Sequence, residues 1–204
     1  MPGMTSSIMA ELKSATREQH EAAESLVNFD AAIGDPLSYR RLLEEFYGFY
    51  APVEQRLSGV AGLEKAVPDL LSRMKAHLLR EDLKDLGGDA LSLPLCQSLP
   101  PVKNVAEALG CLYVLEGATL GGQILSRHAK NALGITPLYA GRFFSSYGPQ
   151  VGAMWKRFSQ SADAYCELHP QERSAIVKSA TDSFSALSIW MQVPRVSGTA
   201  SPQG

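Results

Sequence analysis

Lys13, Arg17, His20 and Glu24 follow one another at intervals of four, three and four residues. On an α-helix such intervals stack side chains along a single seam. Two cations, an imidazole and a carboxylate make a poor core stripe. They make a good edge for a flat, dianionic cofactor whose metal needs one nitrogen ligand. In that arrangement Lys13 and Arg17 reach the carboxylates, His20 reaches the metal, and Glu24 acts on the imidazole from the next turn. A solvated helix face carries the same pattern, because exposure is the ordinary state of charged residues.

A second group lies far downstream. Gly117-Ala118-Thr119-Leu120-Gly121-Gly122 sits inside a segment that otherwise reads as one long helix from Val102 to Leu133. An interior glycine weakens a helix by roughly 1 kcal/mol relative to alanine, so three of them forgo about 3 kcal/mol. Gly117 and Gly121, four apart, leave one face bare, and backbone there can approach a neighbour closely. Tight helix–helix packing would use such a face. So would a kinked helix lying flat against a planar ligand, and glycine clusters are a recognised cause of kinks.

The elements that must position these residues are helical throughout. Ser6 or Ser7 can cap a first helix with Ile8, Leu12, Ala15, Ala22 and Leu26 on its buried stripe. After Asp35-Pro36 comes a second helix whose aromatic face, Phe46 to Tyr50, is too broad for one stripe; it packs between neighbours or partly lines a cavity. Pro68 opens a third helix through Leu70, Leu71, Met74, Leu78 and Leu79, ended by Gly87-Gly88. A proline-punctuated loop, Leu93 to Pro101, precedes the glycine-bearing helix. A short aromatic segment, Tyr139 to Tyr147, follows it. Two more helices start near Gln150 and at Pro170, where a missing N–H costs little. The pattern predicts an all-α, single-domain helical bundle over residues 1–193. The Ser-, Gly- and Pro-rich stretch 194–204 reads as a disordered tail.

Composition narrows the function. The chain has 204 residues, 45% hydrophobic and 20% charged, enough for one substantial core. A net charge of −2 gives no reason to expect nucleic acid. Cys96, Cys111 and Cys166 are odd in number and lack metal-type spacing, which points to free thiols in a reducing compartment. With no signal-peptide pattern and no uninterrupted apolar run near the roughly 20 residues of a membrane span, the expectation is a cytoplasmic protein off the membrane.

Two stretches resemble a known family. Leu12-Lys13-Ser14-Ala15-Thr16-Arg17-Glu18-Gln19-His20 is similar to the segment around the proximal haem ligand of the haem oxygenases, and Gly117-Ala118-Thr119-Leu120-Gly121-Gly122-Gln123 to their distal glycine helix. Tyr113-Val114-Leu115-Glu116 and Ile124-Leu125-Ser126-Arg127-His128 look most like the bacterial branch associated with bacteriophytochromes. The resemblance spans nearly the whole chain in element order. It implies an all-α fold with haem between the first helix and a glycine-kinked distal helix.

Residue by residue, the resemblance makes His20 the axial iron ligand, and places Lys13 and Arg17 near the propionates, with Glu24 one turn past the histidine. Gly117 and Gly121, adjoined by Gly122, would bring backbone against the distal face. Lys156 and Arg157 would supply further propionate contacts, in a looser register, and Phe184 would close the pocket from the last helix. Haem is then both cofactor and substrate, opened with O2 to biliverdin, carbon monoxide and ferrous iron. No nucleotide fingerprint is present, so electrons would come from a ferredoxin, flavodoxin or reductase. A bacteriophytochrome is an expected recipient of the biliverdin.

In one respect the chain departs from the family pattern. Ala118 stands where many members carry an aspartate that organises the water network delivering protons to bound oxygen. A haem-binding or haem-shuttling protein on the same fold is therefore the alternative. A thiamin-degrading relative with a cysteine nucleophile is a more distant one, since no cysteine has an obvious base partner. His77 and His169 read as exposed or interfacial. His128, about two turns past Gly121, reads as a surface or capping residue and is the next iron candidate after His20.

Overall fold

A computed structural model describes residues 7–26 and 29–192. Ten α-helices follow in order among them: α1 Ile8–Ala15, α2 Arg17–Leu26, α3 Phe29–Ala32, α4 Pro36–Ser58, α5 Leu63–Ala66, α6 Ala76–Asp85, α7 Val105–Leu133, α8 Arg142–Ser145, α9 Val151–Leu168 and α10 Arg173–Gln192. Among the described residues β pairing is limited to isolated bridges from Thr136 to Tyr139 and Ala140. The stretch 194–204 lies outside the described residues.

The caps are legible in the chain. Ser7 accepts from the Met9 N–H at 3.2 Å, and Asp163 of α9 accepts from both the Ser7 hydroxyl and the Ile8 N–H, tying α1 to α9. Asp35 caps α4, accepting from Leu37 and Ser38 at 2.9 and 3.0 Å. Asn104 caps α7 through the Glu107 N–H, and Gly134 ends that helix at φ 70°.

Two breaks depart from the sequence pattern. The predicted first helix divides at Thr16, a buried residue whose hydroxyl donates to the Leu12 carbonyl at 2.8 Å. Such back-bonding bends helices. Lys13 therefore lies on α1 and Arg17 and His20 on α2, so the four-residue seam is not continuous. Ala15 and Ala22, expected on the buried stripe, are exposed. The predicted third helix is also divided: a 3-10 turn, Leu70–Arg73, precedes α6. Here the buried Glu54 carboxylate accepts from the Lys75 and Ala76 N–H groups at 2.6 and 3.0 Å. It caps α6 from another helix, which local sequence does not reveal.

The aromatic face of α4 is packing surface. Phe46 and Tyr50 meet Phe143 at 5.3 and 5.1 Å between ring centroids, and the Tyr39 hydroxyl donates to the Ala140 carbonyl. Helix α7 runs through this core without a break at its glycines. It is long and apolar enough in composition to cross a membrane. Its Leu109, Leu112, Val114 and Leu115 side chains are buried inside the protein, whereas Leu120 and Ile124 further along are exposed.

Candidate functional site

Gly110, Gly117 and Gly121 share one face of α7, spanning about 40°, since seven and eleven residues are nearly whole numbers of turns. The structure gives them different uses. At Gly110 a methyl group would be driven into α10, 2.7 Å from Ser179 Cβ and 2.8 Å from the Ala180 nitrogen. At Gly117 it would meet only the Trp155 ring edge, at 3.9 Å, and at Gly121 it would meet nothing within 4 Å. Close packing and an open bare face are thus both present, one after the other along the same helix. Gly122 is turned about 100° away from Gly121. Its Cα side faces α8, where a methyl would lie 3.0 Å from the Phe144 carbonyl oxygen, so it serves packing and not the open face.

Helix α10 packs on α7 and also on α2. Its Phe184, only 7% exposed, sets its ring edge-on to His20 at 5.9 Å between centroids. His20 itself is exposed. The imidazole on α2 and the bare turns of α7 therefore flank the helix that joins them.

The cations sit less uniformly. Lys13 and Arg17 are exposed, and neither forms an ion pair among the described residues. Lys156 is exposed as well. Arg157 is engaged elsewhere, 3.7 Å from Asp69 and in contact with the Met154 sulfur. It is thereby drawn toward the Asp69 side of α9. Glu24 belongs to the α2 backbone, but its side chain lies outside the described residues.

Several features were not foreseen. Trp155, tilted against Tyr113 at 5.7 Å, walls the Gly117 end of the bare face. Next to Gly117, Glu116 is 1% exposed and accepts from Arg73 Nη1 at 2.5 Å, Lys75 Nζ at 2.6 Å and the Tyr147 hydroxyl at 2.8 Å. Arg73 and Lys75 are each 2% exposed. Arg73 is also held by Asp69 at 2.7 and 2.8 Å. Burial pushes the Lys75 ammonium below and the Glu54 carboxyl above their ordinary ranges. A lone acid amid the apolar run of α7 is the sequence signal that a buried partner exists. Deleting one member of such a pair strands the rest. Glu116→Ala is expected to lower stability by about 3–5 kcal/mol, read from the urea midpoint; a loss within experimental error would show the cluster to be solvated.

The chemistry of this donor set is specific. Among the described residues no group of three or more His, Cys, Asp or Glu side chains could hold a metal. Were His20 to bind a metal, the other ligands would have to come with it in a chelating ligand, and the open face at Gly121 leaves room for one. The cysteines are poor nucleophiles. All three are buried, and desolvation pushes Cys111 up to about 12 and raises Cys166. His128 is exposed and lines a shallow hollow with Ile33, Gly34, Asn131 and Ala132. His77 is exposed, and His169 stacks on Tyr165 at 4.5 Å.

The family model described as heme oxygenase matches residues 6–193. The heme oxygenase PigA of Pseudomonas aeruginosa is 31% identical over 176 residues, covering 83% of this chain and 84% of PigA. The NO- and CO-bound heme oxygenase of Neisseria meningitidis superposes with a TM-score of 0.80 at 24% identity, over 92% of each chain. Heme oxygenase 2 of Chlamydomonas reinhardtii, solved without heme, gives 0.71 at 20% identity, over 94% of this chain and 99% of that one.

Proposed function

The chain belongs to the haem oxygenase family, and from that premise we propose that it opens the haem ring with O2 and external electrons, giving biliverdin, carbon monoxide and ferrous iron. The observation that carries this reading is the open face at Gly117 and Gly121 on α7, together with an exposed imidazole on α2 packed edge-on against Phe184 of α10, the helix that contacts both. Bound haem supplies the iron that activates dioxygen and the ring that is opened.

The residues of the chain do the rest. His20 offers a nitrogen ligand, and the Phe184 ring limits how the imidazole can turn. Gly117 and Gly121 leave their face of α7 without side chains, so a flat ligand and a small gas would find room there. Trp155 closes one end of that space. Lys13, Arg17 and Lys156 are exposed cations available to carboxylates at the pocket mouth, whereas Arg157 is committed to Asp69. No carboxylate stands at position 118, so another group would have to order the water that delivers protons.

Electrons come from a separate donor, as the family requires; we assign that role to a ferredoxin, flavodoxin or reductase. A bacteriophytochrome is the proposed recipient of biliverdin, and the odd count of three cysteines without metal-type spacing supports a cytoplasmic location. The test is to mix the purified protein with hemin, supply a reducing system in air, and follow the spectrum. Conversion to a bilin supports ring opening. A spectrum that stays that of a haem supports the shuttle alternative.

Replacing both Lys13 and Arg17 by glutamine is expected to weaken hemin binding modestly or change the product isomer, each exposed pair contributing about 0.2–1 kcal/mol. Fluorescence titration and product chromatography measure this. Unchanged affinity and isomer would return both residues to the role of solvated surface.

A further inference from the structure

We propose that the segment Phe144–Tyr147 is a brace for the glycine-bearing turns of α7, and that Glu116 and Tyr147 are positioning residues for haem ring opening, an inference that rests on the reading given above. The segment grips α7 on both sides of the open face. Before it, the Tyr147 hydroxyl donates to Glu116 Oε1 at 2.8 Å. After it, Gln123 Nε2 donates to the Ser145 carbonyl at 2.9 Å, and the Ser126 and Ser145 hydroxyls lie 3.0 Å apart. Between these grips Gly122 lets the Phe144 carbonyl come close.

The brace has a foundation. Asp82, fully buried on α6, accepts from the Arg142 and Phe143 N–H groups at 3.0 and 2.8 Å. Glu116 is fixed independently by Arg73 and Lys75. Backbone strain lies between the two grips. Ser146 takes φ 41° and ψ −112°, a conformation suited to glycine, and its buried hydroxyl has no hydrogen-bond partner. Such a conformation persists only where its surroundings over-determine it.

The stretch being held is the part of α7 least able to hold itself, because its glycines favour opening and at Gly121 no side chain comes within 4 Å of the Cβ position. Where that backbone lies decides how closely it approaches the ligand, and hence which ring edge receives oxygen. Holding it is therefore a matter of specificity as well as stability.

Tyr147→Phe removes one grip while Arg73 and Lys75 still satisfy Glu116. Tyr165→Phe is the control: it deletes a comparable Tyr–Glu hydrogen bond, 2.6 Å to Glu172, away from α7. Amide hydrogen exchange in the apoprotein is expected to quicken at least fivefold over residues 117–123 in Tyr147→Phe and to stay unchanged there in Tyr165→Phe. Unchanged exchange, or equal change in both variants, overturns the brace. With hemin and reductant, Tyr147→Phe is expected to shift the ratio of biliverdin isomers or slow their formation severalfold, with Tyr165→Phe matching wild type. Faster exchange with wild-type rate and isomers overturns the positioning role alone. If wild type itself forms no bilin, the haem reading and the positioning role both fail, while hydrogen exchange still decides the brace.

Discussion

His20→Ala is expected to abolish the histidine-ligated spectrum of the ferric hemin complex and, with it, bilin formation. The imidazole is exposed on α2, so water can fill its place without opening the core. Stability of the apoprotein should change by less than about 1 kcal/mol, as for surface substitutions generally. Fold and ligation are thereby separable. Circular dichroism of the apoprotein reports the first, and the Soret band and electron paramagnetic resonance of the hemin complex report the second. A variant with an unaltered ferric spectrum would remove His20 from the iron, and the same experiment on His128→Ala would then identify the ligand.

The sequence pattern located His20 correctly on a helix but mistook its neighbours. Spacing alone joins Lys13, Arg17 and His20 into one seam; the Thr16 hydroxyl, bonded to the Leu12 carbonyl, divides it. The break before α6 has the same character. It depends on Glu54, a residue of another helix, and a propensity argument along the chain has no access to it. Local punctuation was readable at Asp35, before α4, whereas the start of α7 expected at Val102 fell three residues short of its position after the Asn104 cap.

The polar core shows the limit most clearly. Arg73 and Lys75 look like ordinary surface cations around Met74, yet both are buried on Glu116. Replacing such a cluster by apolar residues often leaves a protein equally stable, so its presence is better explained by the arrangement it enforces. It joins α7 to the strained segment at Ser146, an arrangement that follows from tertiary contacts alone. The all-α class, by contrast, needed only periodicity and caps.

Gly121→Ala and Gly110→Ala should have opposite consequences although both glycines lie on one face of α7. At Gly121 the new methyl meets no protein atom within 4 Å, so the apoprotein should gain about 1 kcal/mol from helix propensity. The same methyl intrudes on the space reserved for the flat ligand, so oxygen binding or bilin yield should fall. At Gly110 the methyl is forced against the Ile176 carbonyl and Ser179 of α10. Overpacking there should destabilise the apoprotein by about 1–3 kcal/mol, despite the gain in propensity. Any hemin complex that forms should still yield bilin, because the pocket lies two to three turns further along the helix. Chemical unfolding of both apoproteins, paired with bilin yield per bound hemin, separates the two roles. A Gly121→Ala protein that loses stability but keeps full bilin yield would make that glycine a packing residue like Gly110, and would take the open face of α7 out of the mechanism.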